Sequence, residues 1–332
     1  MKGRRTAMKA ALVVAVAGIA GCSNRSSPSI LKAHGSESQK IVGVWWLMFA
    51  MAAAVYVIVA GFVIAGILRG RRTQSGSEGR IKDSVFIWWG GIIIPVVILA
   101  ILAVATVDAT AQLRKPAHNP LQIVMIGKRW WWDVSYPTLG IRTANQFHVP
   151  VGQPLEIKLP SDNVIHDFWI PQLAGKQDNI PGQDNVIRFT VNKVGIYRGE
   201  CAQFCGVEHA RMDFELIADA PDVFGRWATR YQQAPSPPST DATALGQLVF
   251  QREACAGCHT IKGTTATGAV GPDLTDFGAR RSIGAVTVQN NPGNLAGWIA
   301  NSQSIKPGNL MPPIVLSPTD LQNVVAYLES LK

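Results

Sequence analysis

The stretch Cys201-Ala-Gln-Phe-Cys205-Gly-Val-Glu-His209-Ala-Arg-Met212 packs two thiols, an imidazole and a thioether into twelve residues. Soft sulfur and borderline nitrogen donors at this density favour copper over magnesium or calcium. The segments around it read as short strands. Leu121-Gln-Ile-Val-Met-Ile126, Leu155-Glu-Ile-Lys-Leu159 and Val186-Ile-Arg-Phe-Thr-Val191 are rich in β-branched and apolar residues, and Pro150, Gly152, Pro160, Pro181, Gly182 and Gly195 punctuate them. Residues 117–231 are therefore expected to form an all-β sandwich or barrel.

A second soft-ligand cluster follows, Cys255-Ala-Gly-Cys258-His259, the spacing for covalent attachment of a c-type haem. Cys255 and Cys258 would form the thioethers and His259 would be the proximal iron ligand. Met311 is the only methionine after 212 and is the expected distal ligand. A zinc half-site or redox dithiol is the alternative for C-x-x-C, but the adjoining His and the lack of a partner C-x-x-C disfavour it. Residues 245–332 read as helical. Leu245, Leu248, Val249 and Phe250 precede the haem motif; Ser317-Pro318-Thr-Asp320 opens a helix whose apolar face is Leu321, Val324, Val325 and Leu328. Residues 232–244, with three prolines, are expected to be a semi-rigid linker.

The chain has five cysteines, and the two motifs use four of them. A disulfide between Cys201 and Cys205 is the competing reading, but His209 and Met212 follow at ligand spacing. The net charge of +9 does not mark a nucleic-acid binder. Residues 117–332 carry 17 Lys+Arg against 18 Asp+Glu, and the excess lies in the first 116 residues, 14 against 4, around hydrophobic runs. That is the pattern of membrane topology signals, not of a basic patch on a folded domain.

Residues 1–21 read as a signal peptide, with Lys2, Arg4, Arg5 and Lys9 before a short apolar core. The segment ends Ile19-Ala20-Gly21-Cys22, similar to a bacterial lipobox, in which Cys22 becomes the lipidated first residue of the mature chain. Two uncharged runs follow, 41–68 and 84–107, of 28 and 24 residues. As helices they would measure about 42 and 36 Å, enough for a hydrocarbon core of about 30 Å. Trp45, Trp46, Trp88 and Trp89 lie near the span ends, and Pro95 is expected to kink the second. Arg69, Arg71, Arg72, Arg80 and Lys82 against Glu78 make the intervening loop cytoplasmic, so everything after 108 lies outside.

A mononuclear electron-transfer copper needs two His, one Cys and a weak axial ligand. Here two cysteines share one loop and can bridge two ions. His166, where a strand is expected to end, and His209 supply one nitrogen each. Met212 and a backbone carbonyl near Gln203 supply the weak ligands.

The pattern C-x-x-x-C-x-x-x-H-x-x-M, an upstream His and an aromatic run after two hydrophobic spans resembles cytochrome c oxidase subunit II over residues of about 40 to 225. The resemblance implies a cupredoxin-like sandwich with a dinuclear Cu-A site: His166 and Met212 on one copper, His209 and the Gln203 carbonyl on the other, Cys201 and Cys205 bridging. In Gly127-Lys-Arg-Trp130-Trp131-Trp132 it makes Trp130 the residue that receives the incoming electron. Residues 245–332, with Gly271-Pro272-Asp-Leu, resemble a class I cytochrome c domain, so the whole is similar to the variant with a fused cytochrome c. It further implies subunit I, and subunit III, as partners. The donor is a soluble or membrane-bound cytochrome c or the bc1 complex, and the location is a bacterial inner membrane with both domains on the periplasmic face. The implied route runs from donor through haem c and Cu-A to subunit I, where oxygen is reduced to water. Three features depart from the family: Gln203 stands where a Glu is common, Lys128 where a His is common, and Val85 near the place of a frequent glutamate.

Rival classes fit less well. Quinol oxidase subunits II lack these copper ligands. Nitrous-oxide reductases need a second copper cluster for which no histidines remain. A copper chaperone would need neither the haem motif nor the Trp run. His34, His118 and His148 have no ligand-type neighbours and are expected in polar surface or loop positions.

Overall fold

The computed structural model describes residues 28–70, 83–116 and 118–332. The expected signal peptide, Cys22 and most of the basic loop between the spans lie outside the described residues. Helix α1 is Ser36–Gly70. Helix α2 runs as Asp83–Phe86, a π-helical stretch Ile87–Ile93, and Ile94–Leu113. Two described stretches, Ser36–Arg69 and Ser84–Leu113, are long and apolar enough to cross a membrane, with mean hydropathies of 2.6 and 2.7 over an 18-residue window within each. Both exceed the uncharged runs that mark them. Just before Pro95, where a kink is expected, the helix runs as a π-helical stretch. Proline has no N–H to give to the carbonyl four residues back, and a widened turn is one way to accommodate that loss.

The first turn of α1 is fastened to the sandwich. Gly35 forms an isolated β-bridge with Val191, the Ser38 hydroxyl donates to the Gln172 carbonyl at 2.8 Å, and the Thr190 amide donates to Ser36 Oγ at 3.0 Å. The β domain is therefore seated on the end of α1.

Two five-stranded sheets make the sandwich. The first has the order β3-β2-β1-β5-β8: Ile141–Ala144, Trp131–Tyr136, Leu121–Lys128, Pro154–Leu159 and Asn185–Thr190. The second has the order β4-β10-β9-β6-β7: Gln146–Pro150, Asp213–Asp219, Gly195–Cys201, His166–Trp169 and Gln177–Asn179. Burial alternates without a break along β1, as one face packed on a core requires. Trp132, Tyr136, Phe147, Phe168 and Phe214 fill the space between the sheets and are fully buried. The region expected to be all strand ends in a helix, α3 (Pro221–Gln232). It lays Trp227 and Tyr231 on the sandwich, and Pro221 in its first turn fixes the start.

Helix α4 (Asp241–Arg252) begins inside the stretch expected to be linker, capped by Thr240. A single turn α5 (Cys255–Cys258) carries the two cysteines; the hairpin β11–β12 (Ser282–Ile283, Val288–Gln289), α6 (Pro292–Ile305) and α7 (Pro318–Ser330) complete this domain. Ser317 caps α7 by accepting the Asp320 amide at 3.1 Å, as its sequence predicts. Val249 and Phe250 of α4 are buried against α7, whereas Leu245 and Leu248 are 50% and 61% exposed. The reason is steric. Gly246 is the residue of α4 that meets α7, and a Cβ there would lie 2.0 Å from the Asn323 carbonyl oxygen. Gly246→Ala should therefore push the helices apart and destabilise the helical domain by about 3 kcal/mol, measured as a lower unfolding midpoint by circular dichroism.

Candidate metal centre and haem cleft

Four segments at one end of the sandwich carry the soft ligands. Cys201 closes β9, His166 opens β6, His209 starts a short 3-10 turn (His209–Arg211), and Met212 precedes β10. His166 thus begins its strand, where the sequence suggested an end. β6 and β9 are adjacent, with Phe168 opposite Cys201. The loop is closed at its base, where the Cys201 amide donates to the Met212 carbonyl at 3.0 Å.

The two sulfurs are free thiols 3.7 Å apart. Cys201 Sγ lies 3.9 Å from His166 Nδ1 and 3.2 Å from the Gln203 carbonyl oxygen; Cys205 Sγ lies 3.6 Å from His209 Nδ1 and 3.8 Å from Met212 Sδ. Ligand atoms of His166, Cys201 and Cys205 all lie within 4.8 Å of one another. Metal–sulfur bonds of about 2.3 Å and metal–nitrogen bonds of about 2.0 Å limit two donors on one ion to separations below about 4.6 Å for two sulfurs and 4.3 Å for a sulfur and a nitrogen. Each measured neighbour pair satisfies that limit, so this donor set fits soft metal ions held between two cysteines. The Cys201 thiol is drawn below its ordinary range, first by the hydrogen bond with Cys205 and then by His166.

The His166 imidazole is oriented from behind. His166 is fully buried, and its Nε2 lies 3.1 Å from Asn163 Oδ1. With Nε2 donating to Asn163, Nδ1 is left as the lone-pair nitrogen facing the sulfurs. Sequence reasoning missed Asn163; its place three residues before His166 was the only signal.

The aromatic run divides by role. Trp132 is fully buried, donates to the Met212 carbonyl at 3.2 Å, and stands edge-on to His166 with centroids 6.0 Å apart. Trp130 is 8% exposed, and its indole N–H donates to the Cys205 carbonyl at 2.9 Å. Gly206 carries φ +119°, and a Cβ there would fall 2.9 Å from Trp130 Cζ2. A side chain at 206 would both strain the backbone and displace the indole. Lys128 pairs with Asp162 at 3.3 Å and Asp133 at 3.9 Å.

In the helical domain Cys255, Cys258, His259 and Met311 line one apolar cleft with Phe250, Leu295 and Leu328. His259 Nδ1 lies 2.8 Å from the Pro272 carbonyl oxygen and donates to it, which leaves Nε2 as the ligand nitrogen. Its ring lies against Gly271, where a Cβ would sit 2.5 Å from Cε1. Burial lowers the His259 pKa, keeping the ring neutral as a ligand must be. Met311 Sδ accepts the Trp298 indole N–H at 3.1 Å. Two thiols, a neutral imidazole and a thioether around an apolar slot fit a covalently held haem. Arg129 and Trp130 of the sandwich form part of the same cleft wall. Nothing in the sequence announced that shared wall.

Of the remaining histidines, His118 is exposed and His34 is half-buried in the irregular segment just before α1. His148 departs from the surface expectation. It sits in β4, stacks on Trp227 with centroids 4.6 Å apart, and places Nδ1 2.7 Å from Asp219.

The family model for the periplasmic domain of cytochrome c oxidase subunit II matches residues 138–218, and the cytochrome c model matches residues 243–332. The chain is 32% identical over 327 residues to cytochrome c oxidase subunit 2 of Alkalihalophilus pseudofirmus, covering 95% of this chain and 94% of that one. It is 32% identical over 290 residues to the same subunit of Bacillus sp. strain PS3, covering 79% and 80%. The crystal structure of the periplasmic domain of subunit II of cytochrome oxidase from Bradyrhizobium japonicum is 27% identical and covers 35% of this chain, with a TM-score of 0.34.

Two apolar helices, a sandwich with a soft-ligand loop and a helical c-type domain define a membrane-bound subunit of a haem-copper oxidase with a periplasmic domain. The chain belongs to the cytochrome c oxidase subunit 2 family, in the form that carries a C-terminal cytochrome c domain. Its partner is therefore subunit I of that oxidase.

Asn163→Ala should lower copper affinity about 10–100-fold, measured by competition with a copper chelator, with the sandwich still folded by circular dichroism.

Proposed function

We propose that this chain is the subunit through which electrons enter the oxidase: from a cytochrome c-type donor through covalent haem c, then through a dinuclear Cu-A centre, to the subunit I site of oxygen reduction. The bound groups supply one-electron redox chemistry. The chain's own residues hold them, set their surroundings and fix their spacing. Cys201, Cys205, His166, His209, Met212 and the Gln203 carbonyl would hold the copper pair, His166 and Met212 serving one ion and His209 and the Gln203 carbonyl the other. Cys255 and Cys258 would hold the haem covalently, with His259 and Met311 as the iron ligands. In this reading a Cu-A domain at 117–231 and a cytochrome domain at 245–332, joined by 232–244, stand on the periplasmic face of a bacterial inner membrane. A lipidated Cys22 would add a second anchor. Soluble or membrane-bound cytochrome c, or the bc1 complex, is the donor, and subunit III is a further partner.

The observation that carries the reading is the position of Trp130. Its indole N–H is bonded to the Cys205 carbonyl, and the same residue forms part of the haem cleft wall. One residue therefore borders both the copper loop and the haem site. Gln203 keeps its carbonyl beside Cys201 Sγ while the residue as a whole is exposed, free to meet a neighbouring subunit.

Optical and EPR spectra of the detergent-solubilised chain, loaded with copper and haem, test this. Cys201→Ser should abolish the near-infrared band of a mixed-valence copper pair and leave the haem bands intact; a persisting band would remove the copper assignment. Met311→Ala should open the reduced haem to carbon monoxide, and continued six-coordinate behaviour would exclude Met311 as a ligand.

A further inference from the structure

Lys306 is 2% exposed, deep between the two soluble domains. Its Nζ donates three hydrogen bonds, each to a backbone carbonyl: Trp130 at 2.7 Å, Arg211 at 2.6 Å and Gly284 at 2.9 Å. The first two belong to the sandwich, one on the aromatic run and one on the copper loop. The third belongs to the helical domain. An ammonium has three donors and no acceptor, so this arrangement uses all of them. Burial lowers its pKa to about 8 against the opposing pull of Glu208, Asp213 and Cys205, so it is charged at neutral pH.

We propose that Lys306 is the positioning residue that fixes the haem domain onto the Trp130 edge of the copper domain, so that transfer between the two centres proceeds from one docked geometry. The proposal rests on the functional reading above.

Three further observations support it. Arg211 returns the contact, its guanidinium donating to the Ile305 carbonyl at 2.7 Å. Gly308 then passes close over the copper loop, where a Cβ would lie 3.2 Å from Val207 Cγ2 and 3.5 Å from Trp130 Cζ3. The segment bearing Lys306 is also rigidly joined to Met311. The Met311 carbonyl accepts from Ser302 Oγ at 2.7 Å and Gln303 Nε2 at 3.1 Å, and the Met311 amide donates to Asn309 Oδ1 at 2.8 Å. The Lys306 amide bonds back to the Ser302 carbonyl at 2.8 Å. One loop thus carries both the clamp and a haem-cleft thioether. Other contacts also cross this boundary: Arg281 pairs with Glu215 at 3.3 Å and Arg230 with Asp276 at 3.2 Å, the Arg281 amide donates to Gln146 Oε1 at 2.9 Å, and the buried Arg280 donates to Tyr231 Oη at 3.5 Å. In the two ion pairs the arginines are about half exposed, where such pairs contribute little.

The step served is a one-electron transfer in which reduced haem c is oxidised and the copper pair is reduced, with no bond made or broken. A charged, buried hydrogen-bond donor is worth far more than a rim pair, and its loss leaves three carbonyls unsatisfied.

The test is Lys306→Met in the assembled oxidase. Haem and copper spectra and both midpoint potentials should be unchanged. Oxidation of haem c by copper after rapid reduction should slow about tenfold or more and become dependent on solvent viscosity, because the domains must re-dock. Amide exchange at 130–132 and 305–311 should rise. Glu215→Gln should change the rate less than about twofold. If Lys306→Met does not assemble, Lys306→Gln retains two donors and should give a smaller slowing with the same viscosity dependence. Wild-type rate, viscosity independence and unchanged exchange in either variant would overturn the clamp. Failure of the underlying reading is separable: the wild-type chain would then lack the copper or haem spectrum.

Discussion

The hydrogen bond from the Trp130 indole to the Cys205 carbonyl is the constraint around which the two soluble domains are arranged. A bond of this kind contributes about 1 kcal/mol net, but leaving either buried partner unsatisfied costs more. Its larger effect is geometric. It holds a large ring against the copper loop. Gly206 approaches the indole so closely that a side chain there would displace it or be displaced, and Gly308 lies beside the same ring, where a Cβ would be in ordinary contact. The buried ammonium of Lys306 takes the carbonyl of the same tryptophan. Indole N–H and backbone C=O of one residue are thus tied to two different domains.

The sandwich places donors from distant parts of the chain at one end. β6 and β9 are neighbours, so His166 and Cys201 meet though 35 residues apart. The tight return from Cys201 to Met212 then folds Cys205, His209 and Met212 back over them. The fully buried aromatics beneath make that end of the sandwich rigid. Close packing allows few alternative arrangements, which suits a site whose geometry must barely change with redox state. At the other end of the domain, α1 enters the sandwich through Ser36, Ser38 and the Gly35–Val191 bridge, setting its height above the membrane.

Much of this was legible in the sequence, because its signals are local. Ligand spacing in 201–212, the C-x-x-C-H motif, uncharged runs and strand-like segments all act over a few residues. What escaped was set by tertiary contact. The helical pattern at 245–250 does not say which face packs; Gly246 is the point where α4 can approach α7, so Leu245 and Leu248 face outward. His148 looked like a surface residue until Trp227 of α3 covered it. Asn163 and Lys306 have no motif at all. Their roles come from what lies opposite them: a histidine ring in one case, and three carbonyls from three separate segments in the other.

The junction turns on Trp130, which borders both the haem cleft and the copper loop. Its role is tested by the rate of haem c oxidation after flash reduction in Trp130→Phe, which removes the N–H bonded to Cys205 but keeps an aromatic ring. Oxidation should be slower, with both centres spectroscopically intact and their potentials unchanged. An unchanged rate with both centres intact would contradict that role.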